Sequence, residues 1–549
     1  MDTQRLILFV VFSFAVLLLW DAWQKDHQPA PQAPSISASS TVPAQPPVPS
    51  LGQQLAPPAG QPAAVGDGLL RGPRAKVKTD VLNAVIDANG GDIRRLEFTK
   101  YGDSLDPKKH FVLFEEPQDK LYIAQTGLIG ASLPSHRAQF KLTPGDYVLG
   151  PGDSEVKVRL EWVDSSGLQV SKIYTFHRGS YVIDVAYEIQ NHGPAAVEPY
   201  AYYQLLRHGK PPAGDPKFVS TYTGVAVYTD KEKYQKVAFP DIDKGKQAYP
   251  RYSDDGWIAM LQHYFLSAWL PGDKLRREFY TKVGADGIYT AGVVVPVGVI
   301  QPGASKTLTV PLYAGPQEQD KLSTLSPGLG LTVDYGWLTI IATPLFAVLS
   351  FMHSWTNNWG AAIILLTILI KLVFFPLSAK SYRSMAQMRV LAPKLQKLKE
   401  QYGEDRQRLH QAMMELYKTE KVNPLGGCLP IAVQIPVFIA LYWVLLASVE
   451  MRQAPFMLWI QDLSTPDPFY VLPVIMGLTM IIQTRLNPTP PDPIQAKVMK
   501  IMPIAFSIFF FFFPAGLVLY WVVNNMLSIM QQWFITRRLQ GAQTGNVKR

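Results

Sequence analysis

The stretch that most constrains this chain is an apolar run, WGAAIILLTILIKLVFFPL, which covers residues 359–377 and carries Lys371 inside it. A bilayer-spanning helix needs roughly 20 apolar residues at about 1.5 Å each, so this run is long enough to cross a membrane. A lysine in the hydrocarbon costs about 3 kcal/mol on insertion scales. The run therefore predicts a membrane span with an internal charge whose cost must be offset.

Two interpretations of Lys371 are open on this stretch alone. The side chain could reach the headgroups, roughly 9 Å away, and do nothing further. Alternatively, Thr367 lies one helical turn earlier on the same face, so that Thr367 and Lys371 would form a polar stripe facing a water-filled cavity. The second interpretation is favoured because ionisable groups inside membranes are functional by default.

Composition narrows the class of protein. The chain has 549 residues, 48% of them hydrophobic, and a mean hydropathy of +0.04, which is too apolar for an ordinary soluble protein of this length. The net charge of +9 comes mainly from residues beside the apolar runs, which favours membrane orientation over direct nucleic-acid binding. The one cysteine, Cys428, has no nearby histidine and is interpreted as a packing residue.

The sequence contains no motif for hydrolytic or ATP-driven chemistry. A phosphate-binding loop, a His-Glu-x-x-His zinc motif and a Gly-x-Ser-x-Gly nucleophile motif are all missing from it. His177 and His208 are scattered without metal-ligand spacing. We therefore expect that the protein is not an enzyme and needs no cofactor or metal.

The N-terminal half divides by composition and periodicity. Residues 1–26 hold the apolar run Leu6 to Trp20 without a small-x-small cleavage site, which predicts an uncleaved signal-anchor span. Residues 27–69 are rich in Pro, Ala and Gln and cannot bury a core, which predicts a flexible tether. Residues 70–320 show period-2 runs broken by Gly, Pro, Asn and Asp, which predicts an all-β domain built as a sandwich.

Residues 321–358 include a second apolar stretch, Trp337 to Met352, which is interrupted by Pro344 and short for a span. If this stretch crossed the membrane, the basic loop after residue 377 would face outward, against the positive-inside rule. We therefore predict that it lies in the outer interface as an amphipathic helix.

The remaining apolar runs predict a membrane core over residues 359–539, followed by a basic cytoplasmic tail at residues 540–549. Pro514-Ala515-Gly516 divides the last long run into two short spans. With the signal anchor, the protein is predicted to be a polytopic α-helical membrane protein with six spans and both termini in the cytoplasm. The five spans of the core are predicted at residues 359–377, 428–449, 467–486, 498–513 and 516–535.

Residues 380–422 are predicted to form a cytoplasmic helical hairpin. Residues 378–427 hold ten basic residues against five acidic ones, and apolar residues recur every three or four positions on both sides of Gly403. Pro393 interrupts the first repeat, so the hairpin proper is expected to start there. For its charges, a solvated face is favoured over a specific contact with the ribosome or phospholipid.

Further polar residues lie inside the predicted spans. Gln434 is at the same estimated depth as Lys371, roughly 9 Å from the cytoplasmic side, which suggests one shared cavity. The last span adds more hydrogen-bonding groups, for which interhelical packing is an equal alternative. These are Tyr520, Trp521, Asn524 and Asn525.

A positively charged, wet recess has two natural uses. It could be a transport path for a proton or an anion, or it could temporarily host polar peptide on its way across the membrane. Transporters typically show inverted repeats, and this sequence shows no internal repeat. The second use is therefore favoured, with a proton- or anion-coupled transporter as the alternative.

Four runs carry a resemblance to a known family: KVNPLGGCLPIAVQIPVFIALYW, RQAPFMLW, DLS and FPAGLVLYWVVNNMLSIMQQ. They closely resemble the YidC family of membrane protein insertases, relatives of the mitochondrial Oxa and chloroplast Alb proteins. The resemblance covers residues 337–539, and the preceding segments resemble Gram-negative members. It implies a five-helix insertase core with an inserted periplasmic β-supersandwich, similar to galactose mutarotase at the level of fold alone.

The resemblance also implies roles for particular residues. Lys371 stands where the family usually has arginine, at the charge of a hydrophilic groove open to the cytoplasm, and it lacks arginine's planar two-pronged fork. Thr367, Gln434 and Trp521 resemble groove or substrate-contact positions. The hairpin resembles the mobile element that receives nascent chains, with Met385, Met388, Lys394, Lys397, Lys399, Met413 and Met414.

The expected function is therefore that of a membrane protein insertase and chaperone in a bacterial inner membrane, with the large domain in the periplasm. Hydrophobic transfer of the client is expected to drive insertion without ATP. The expected partners are nascent membrane proteins, the Sec translocon, the ribosome and signal recognition particle pathway, and anionic phospholipids. A carbohydrate-binding or scaffold protein is a further, less favoured alternative.

Overall fold

A computed structural model describes residues 69–546, with gaps at 131, 213–220, 247, 273, 285–286, 404, 421, 423–428 and 487–492. The predicted signal anchor, all but the last residue of the predicted tether, and Cys428 lie outside the described residues. The chain divides into two compact units. Among the described residues, the β unit comprises residues 69–346 and 440–454, and the helical unit comprises residues 347–439 and 455–546.

The β unit is built from nineteen described strands in two sheets. One sheet has ten strands in the order β14-β17-β18-β11-β5-β3-β2-β1-β7, with β4 paired to β3, and the other has nine in the order β13-β12-β15-β16-β19-β10-β9-β8-β6. The strands are β1 Arg74–Lys78, β2 Leu82–Asp87, β3 Asp92–Gly102, β4 His110–Phe114, β5 Tyr122–Ile129, β6 Lys141–Leu142, β7 Gly145–Val148, β8 Glu155–Val163, β9 Leu168–His177, β10 Val182–Asn191, β11 Tyr200–His208, β12 Gly224–Thr229, β13 Lys233–Val237, β14 Tyr252–Ser253, β15 Trp257–Gln262, β16 Phe265–Trp269, β17 Arg277–Val283, β18 Ile288–Pro296 and β19 Ser305–Pro316.

Side-chain burial explains why these segments form sheets. In β10 every second residue is buried, which is the period-2 pattern of a strand with one face on the core. In β15 and β16 all residues are buried, so both faces of these strands are covered. Trp257 and Trp269 are fully buried there and contribute large apolar areas to the core. The sequence thus predicted an all-β domain, and the structure has a sheet-rich one.

The helices follow the last strand, apart from one short helix that lies between β13 and β14. They are α1 Phe239–Asp243, α2 Gln319–Leu325, α3 Thr339–Thr356, α4 Trp359–Val373, α5 Phe375–Tyr402, α6 Arg406–Thr419, α7 Leu429–Ala447, α8 Val471–Leu486, α9 Pro493–Phe510 and α10 Ala515–Asn546. Short 3-10 turns lie at Leu329–Thr332, Gly336–Leu338 and Val449–Met451.

The first predicted core span ends earlier than expected. The α4 helix begins after Asn358, whose side chain accepts a hydrogen bond from the Ala361 amide, and it ends at Val373 instead of residue 377. The chain then bends by 66° into α5. Pro376 lies in the first turn of α5, where it lacks the amide that a continuing helix needs, so a new helix starts there.

The predicted hairpin also differs in its limits. The α5 helix starts five residues before the predicted position 380 and runs through Pro393, so proline lies inside the helix and does not begin it. In α6, the Asp405 side chain accepts from the amides of Gln407 and Arg408, which is a typical N-cap. The two helices pack around a small apolar core. That core comprises Leu391, Leu395 and Val422, with Met388, Met413, Leu416 and Tyr417 against it.

The end of the chain is helical where a tail was predicted. The α10 helix continues to Asn546, so residues 540–546 of the predicted basic tail belong to a helix. In length and composition, one helical segment of the described chain, Gly336–Thr356, is suited to cross a membrane, and the bent pair formed by α4 and the first part of α5 would be a second. Gly336–Thr356 covers the apolar stretch that the sequence analysis predicted to lie in the outer interface as an amphipathic helix. Shorter apolar helices occur at Val433–Ala447 and Val471–Leu486.

Candidate functional site

Lys371 is held by a hydroxyl group. It lies in the last turn of α4, and its Nζ donates to Ser528 Oγ of α10 over 2.7 Å. The Ser528 hydroxyl in turn donates to the backbone oxygen of Asn524, one turn earlier in the same helix, over 2.7 Å. The ammonium is therefore tied to α10 instead of being left to extend freely along α4.

Gln434 meets the same stretch of α10. Its Nε2 donates to Asn524 Oδ1 over 2.9 Å. Lys371 from α4, Gln434 from α7, and Asn524 and Ser528 from α10 thus form one connected group, which we call the polar cluster. The sequence predicted that Lys371, Gln434 and Asn524 share a site, and the structure joins them through α10.

Thr367 does not face water as the polar stripe predicted. Its side chain is 1% exposed, and its hydroxyl donates to the Ile363 backbone oxygen of its own helix over 2.6 Å. Threonine in a helix commonly satisfies its hydroxyl in this way, four residues back. The predicted position on the face of Lys371 stands, but the predicted cavity-facing role of Thr367 is wrong in this structure.

The two asparagines of α10 point to different neighbours. Asn525 is buried, and its Nδ2 lies 3.4 Å from Thr479 Oγ1 of α8. This contact belongs to the packing of α8 against α10, which is the interhelical alternative foreseen for these residues. Asn524, in contrast, belongs to the polar cluster.

Tyr520 and Trp521 form an aromatic wall one turn before the polar cluster. Tyr520 is buried and stacks on Phe438, with ring centres 5.8 Å apart. Trp521 contacts the edges of Phe438 and Phe510, with ring centres 4.8 and 5.4 Å away. The Trp521 Nε1 is buried and has no hydrogen-bond acceptor among the residues that the structure describes.

The charge balance of the polar cluster is positive. No carboxylate among the described residues forms an ion pair with Lys371, whose recorded bond is to the Ser528 hydroxyl. An intramembrane cation usually pairs with an opposite charge or faces a polar cavity. The donors of the cluster can therefore bind a carboxylate or several carbonyl oxygens from outside the protein.

The hairpin residues separate into two groups. Met388 and Met413 are partly buried and pack against the core of the hairpin, and their role in receiving nascent chains stays a prediction. Met385 is half-buried and Met414 is exposed. Lys394 Nζ pairs with Glu420 Oε1 over 2.5 Å. Lys397 and Lys399 are exposed.

Sequence reasoning missed Ser528 and Thr479. Ser528 lies four residues after Asn524, so helical periodicity places both on one face and could have identified it. Thr479 lies in α8, 46 residues from its partner Asn525, and no local pattern links them. No group of three or more His, Cys, Asp or Glu side chains in the described part of the chain could hold a metal ion.

Two family profiles match the chain. Residues 74–348 match the YidC periplasmic domain, and residues 351–543 match the 60Kd inner membrane protein family. The β unit therefore corresponds to a periplasmic domain and the helices after it to an inner membrane part. These matches cover nearly all of the described residues.

Known proteins resemble the whole chain. The membrane protein insertase YidC of Nitrosospira multiformis is 56% identical over 100% of this chain and 99% of its own length. The protein of the same description from Methylobacillus flagellatus is 57% identical over all of both chains. A crystal structure of an active YidC insertase with its first transmembrane domain resolved aligns with 84% of this chain and 94% of its own, at 18% identity and a TM-score of 0.39. The chain therefore belongs to the YidC family of membrane protein insertases.

Proposed function

We propose that this protein inserts nascent membrane proteins into the bacterial inner membrane, and helps them fold, through a hydrophilic groove built around the polar cluster. The observation that carries the proposal is the positive charge of Lys371, which has a hydroxyl partner but no carboxylate partner among the described residues. A cation in this state stabilises polar or acidic peptide that enters beside it.

The donors of the site suit an extended peptide. Lys371 supplies an ammonium. The Gln434 side-chain amide donates to Asn524, and Trp521 has a buried indole N–H without an acceptor in the described chain. A backbone carbonyl or a side-chain carboxylate of a client would satisfy such donors, since an unmet buried donor costs about 1–3 kcal/mol. Hydrogen bonds to the groove thus replace those that the client's polar flank loses when it leaves water.

Hydrophobic transfer supplies the drive. The groove shortens the path of the polar flank through hydrocarbon, while the apolar part of the client moves into lipid. About 20 apolar residues at a few tenths of a kcal/mol each offset the transfer of a short, weakly charged tail without ATP. Longer or strongly charged tails need help, for which the Sec translocon is the proposed partner.

Lysine gives the groove a mobile point charge. Its ammonium has three rotatable donors, whereas arginine presents a rigid planar fork. Ser528 already takes one of these donors, so two are left for a client or water. We infer that the groove selects a client's negative or carbonyl-rich flank through charge alone, without a fixed two-pronged geometry.

The proposed arrangement in the membrane completes this function. It has six spans, including the five-helix core, both termini in the cytoplasm, and a periplasmic β-supersandwich. The hairpin of α5 and α6 would receive clients from the ribosome and the signal recognition particle pathway and rest on anionic phospholipid. Its exposed Lys397 and Lys399, and the exposed Met414, support such contacts.

The test is insertion of a small single-span client into liposomes that contain only this protein, scored by protease protection of the translocated tail. We expect Lys371→Ala to remove about 1.4 kcal/mol of stabilisation of the client's polar flank. This loss corresponds to about tenfold less protection of the tail. Lys371→Arg is expected to retain most of it. Lys231→Ala, which removes an exposed lysine of the β unit outside both the polar cluster and the hairpin, is the matched control and should leave insertion unchanged.

Two results would contradict the proposal. If wild-type protein protects no more tail than empty liposomes, unaided insertion is wrong. If Lys371→Ala inserts as well as wild type, Lys371 only reaches toward the headgroups and the charged groove is wrong. Ion flux through the liposomes that depends on Lys371 would instead indicate the proton- or anion-coupled transporter.

A further inference from the structure

The residues that lead into α8 expose large apolar side chains. We call residues 455–470, which lie wholly in the helical unit, the clasp loop. Leu458 is 73% exposed and Phe469 is 68% exposed, and at least half of Met457 and of Tyr470 is exposed as well. Exposed apolar side chains that cluster in this way usually mark contact with a partner or a membrane.

Two of these residues also hold an unusual backbone conformation. The φ angles of Leu458 and Tyr470 are +54° and +57°, a region that large side chains rarely adopt. Such conformations persist only where the surrounding structure imposes them, and they concentrate at functional positions. The exposure of these two side chains is therefore a built feature of the loop.

A buried carboxylate fixes the clasp loop to the start of α8. Asp467 is 1% exposed. Its Oδ1 accepts from the Trp459 indole over 2.9 Å and from the Phe469 amide over 3.0 Å, and its Oδ2 accepts from the Leu472 amide over 2.7 Å. The Leu472 amide belongs to the first turn of α8, where amides have no partner within the helix. The exposed side chains are thus held in place relative to α8.

The clasp loop also binds the start of α4. The Asn358 side chain, which caps α4 through its Oδ1, donates from its Nδ2 to the Phe456 backbone oxygen over 2.8 Å. The Phe456 ring lies over Gly360, where a Cβ would come within 2.1 Å of a ring atom. Glycine is therefore required at position 360 for this contact.

The start of α10 is bound by backbone alone. The Ala515 amide donates to the Thr465 oxygen over 2.7 Å, and the Gly516 amide donates to the Leu463 oxygen over 2.9 Å. Amides in the first turn of a helix need such partners from outside the helix. One loop consequently holds the starts of three helices, α4, α8 and α10.

The apolar surface of the clasp loop continues along α8. Val474, Leu478 and Ile482 are exposed and lie four residues apart, so they share one face of the helix. This part of the chain matches an inner membrane protein family, in which such a face meets lipid. The same surface therefore reaches from the face of α8 to the exposed side chains of the loop.

The chemistry of the loop suits the boundary between lipid and water. Residues 455–470 include no lysine or arginine. The Phe469 ring lies 6.4 Å from that of Trp459, and the Tyr470 ring lies 5.2 Å from that of Phe511. Tryptophan and tyrosine are enriched where a membrane meets water, since one end of the side chain is apolar and the other is polar.

We propose that the clasp loop is a lipid anchor: Leu458, Phe469 and Tyr470 enter the boundary between headgroups and acyl chains of the outer leaflet, and the loop holds the starts of α4, α8 and α10 at that level. The occupant of the patch is phospholipid. An apolar surface of another protein is the alternative, and the test below separates the two.

The anchor sets the depth of the polar cluster. Lys371 lies roughly 18 Å along α4 from Trp359, and Ser528 lies roughly 20 Å along α10 from Ala515. These similar distances allow the two side chains to meet once the helix starts are held at one level. This consequence rests on the proposed function, because the depth of the cluster matters only if the cluster handles clients.

The test uses nitroxide labels on full-length protein in liposomes of phosphatidylethanolamine and phosphatidylglycerol. A Cys428→Ser background removes the one native cysteine. The reporters are Leu458→Cys and Phe469→Cys, with Leu478→Cys as the lipid reference and Lys231→Cys, an exposed site of the β unit, as the water reference. Collisions with oxygen, which concentrates in lipid, are compared with collisions with a nickel chelate, which stays in water. Both reporters should resemble Leu478→Cys.

Variants without labels connect the anchor to depth. Leu458→Asp combined with Phe469→Asp should lower client insertion several-fold, because a charged loop leaves the boundary and shifts the polar cluster. Leu458→Phe keeps an apolar side chain and should insert clients as wild type does. Val163→Asp places the same charge at an exposed apolar site of β8 and should have no effect. Insertion by the double variant that equals that of wild type would overturn the control of depth.

The outcomes distinguish this inference from the proposed function. Reporters that collide with the nickel chelate as often as Lys231→Cys does overturn the anchor, even if wild type inserts clients. Reporters shielded from both oxygen and the chelate also overturn it, because protein then covers the patch. If both reporters lie in lipid while wild type inserts nothing, the anchor stands and the proposed function fails.

Discussion

Two lysines, one in each unit, show opposite ways of holding a charge, and of the two only Lys172 is fully buried while Lys371 is half-buried. Lys172 of β9 is wholly buried, donates to the Gly90 backbone oxygen over 2.9 Å, and lies near the carboxylate of Asp92. Three aromatic rings surround its ammonium at 5.5 to 5.9 Å, those of Phe140, Tyr174 and Tyr187. Lys371 of α4 donates to the Ser528 hydroxyl and has no carboxylate partner among the described residues.

The difference indicates what each charge is for. Asp92 also accepts from Gln125 over 2.9 Å and pairs with Arg94 at 3.2 Å, so Lys172 and Arg94 lie near the same buried carboxylate. Such an arrangement serves the fold, because removing the carboxylate leaves two buried cations without a counter-charge. Lys371 has no carboxylate partner in the described chain, and under the proposed function its charge is available to a client. The following predictions test whether this contrast is real.

The largest expected effect is on the network in the β unit. Asp92→Asn keeps the shape of the side chain but leaves Arg94 and Lys172 buried without a carboxylate. Breaking a buried ion pair in this way costs about 3–5 kcal/mol. The measurement is urea unfolding of the full-length protein in detergent, followed by tryptophan fluorescence, which reports on Trp257 and Trp269 in the same unit.

Glu161→Gln provides the control for that experiment, because Glu161 pairs with Arg159 on the exposed surface of β8. Surface pairs contribute about 0–1 kcal/mol, so this variant should unfold almost as wild type does. A loss for Asp92→Asn that is no larger than for Glu161→Gln would show that Lys172 needs no carboxylate, and the contrast with Lys371 would disappear.

An intermediate effect is expected on the pH dependence of the β unit. Burial, together with the positive charges of Arg137, Lys172 and Arg94, lowers the pKa of His136 to about 4. The Tyr202 hydroxyl accepts from the His136 amide and lies 2.6 Å from the ring Nδ1, which can accept the hydroxyl proton when the ring is neutral. Because the folded pKa lies below the ordinary value of 6.5, the stability that His136 contributes is present above pH 6.5 and is lost as the pH falls to about 4.

The change to measure is the difference in unfolding free energy between wild type and His136→Asn at several pH values from 7 to 4. Asparagine keeps an acceptor near Tyr202 but does not titrate. Wild type should lose on the order of 3 kcal/mol more than the variant over this range. Parallel curves for the two proteins would show that neither burial nor the nearby cations lower the pKa of His136.

The smallest expected effect is on the stability of Lys371→Met. Methionine fills a volume similar to that of lysine but has no charge. Removing the ammonium leaves no carboxylate of the described chain without its counter-charge. We therefore expect the free energy of unfolding to change by less than about 1 kcal/mol, although insertion falls. Unfolding of the same preparation in urea measures it. A loss as large as that of Asp92→Asn would make Lys371 a structural lysine like Lys172.

The features that local pattern predicted were those that arise within one element. Period-2 runs predicted the sheets, apolar runs predicted α4, α7 and α8 to within a few residues, and three-to-four spacing placed Leu391 and Leu395 on one face of the hairpin. The early end of α4 was also readable, because Pro376 is a local signal for a new helix. The same spacing includes Met388 and Met413, which pack against the hairpin's own core.

By itself, then, the sequence determined the class of each segment, the charge inside an apolar run, and the family. Only the tertiary structure decided which side chains meet: Lys371 with Ser528, 157 residues away, and Gln434 with Asn524, 90 residues away. It also decided that Thr367 donates to its own helix and that Arg452 meets Ser104, 348 residues away, within the β unit. Periodicity comes from backbone geometry within a few residues, whereas a partner is chosen by the packing of distant elements.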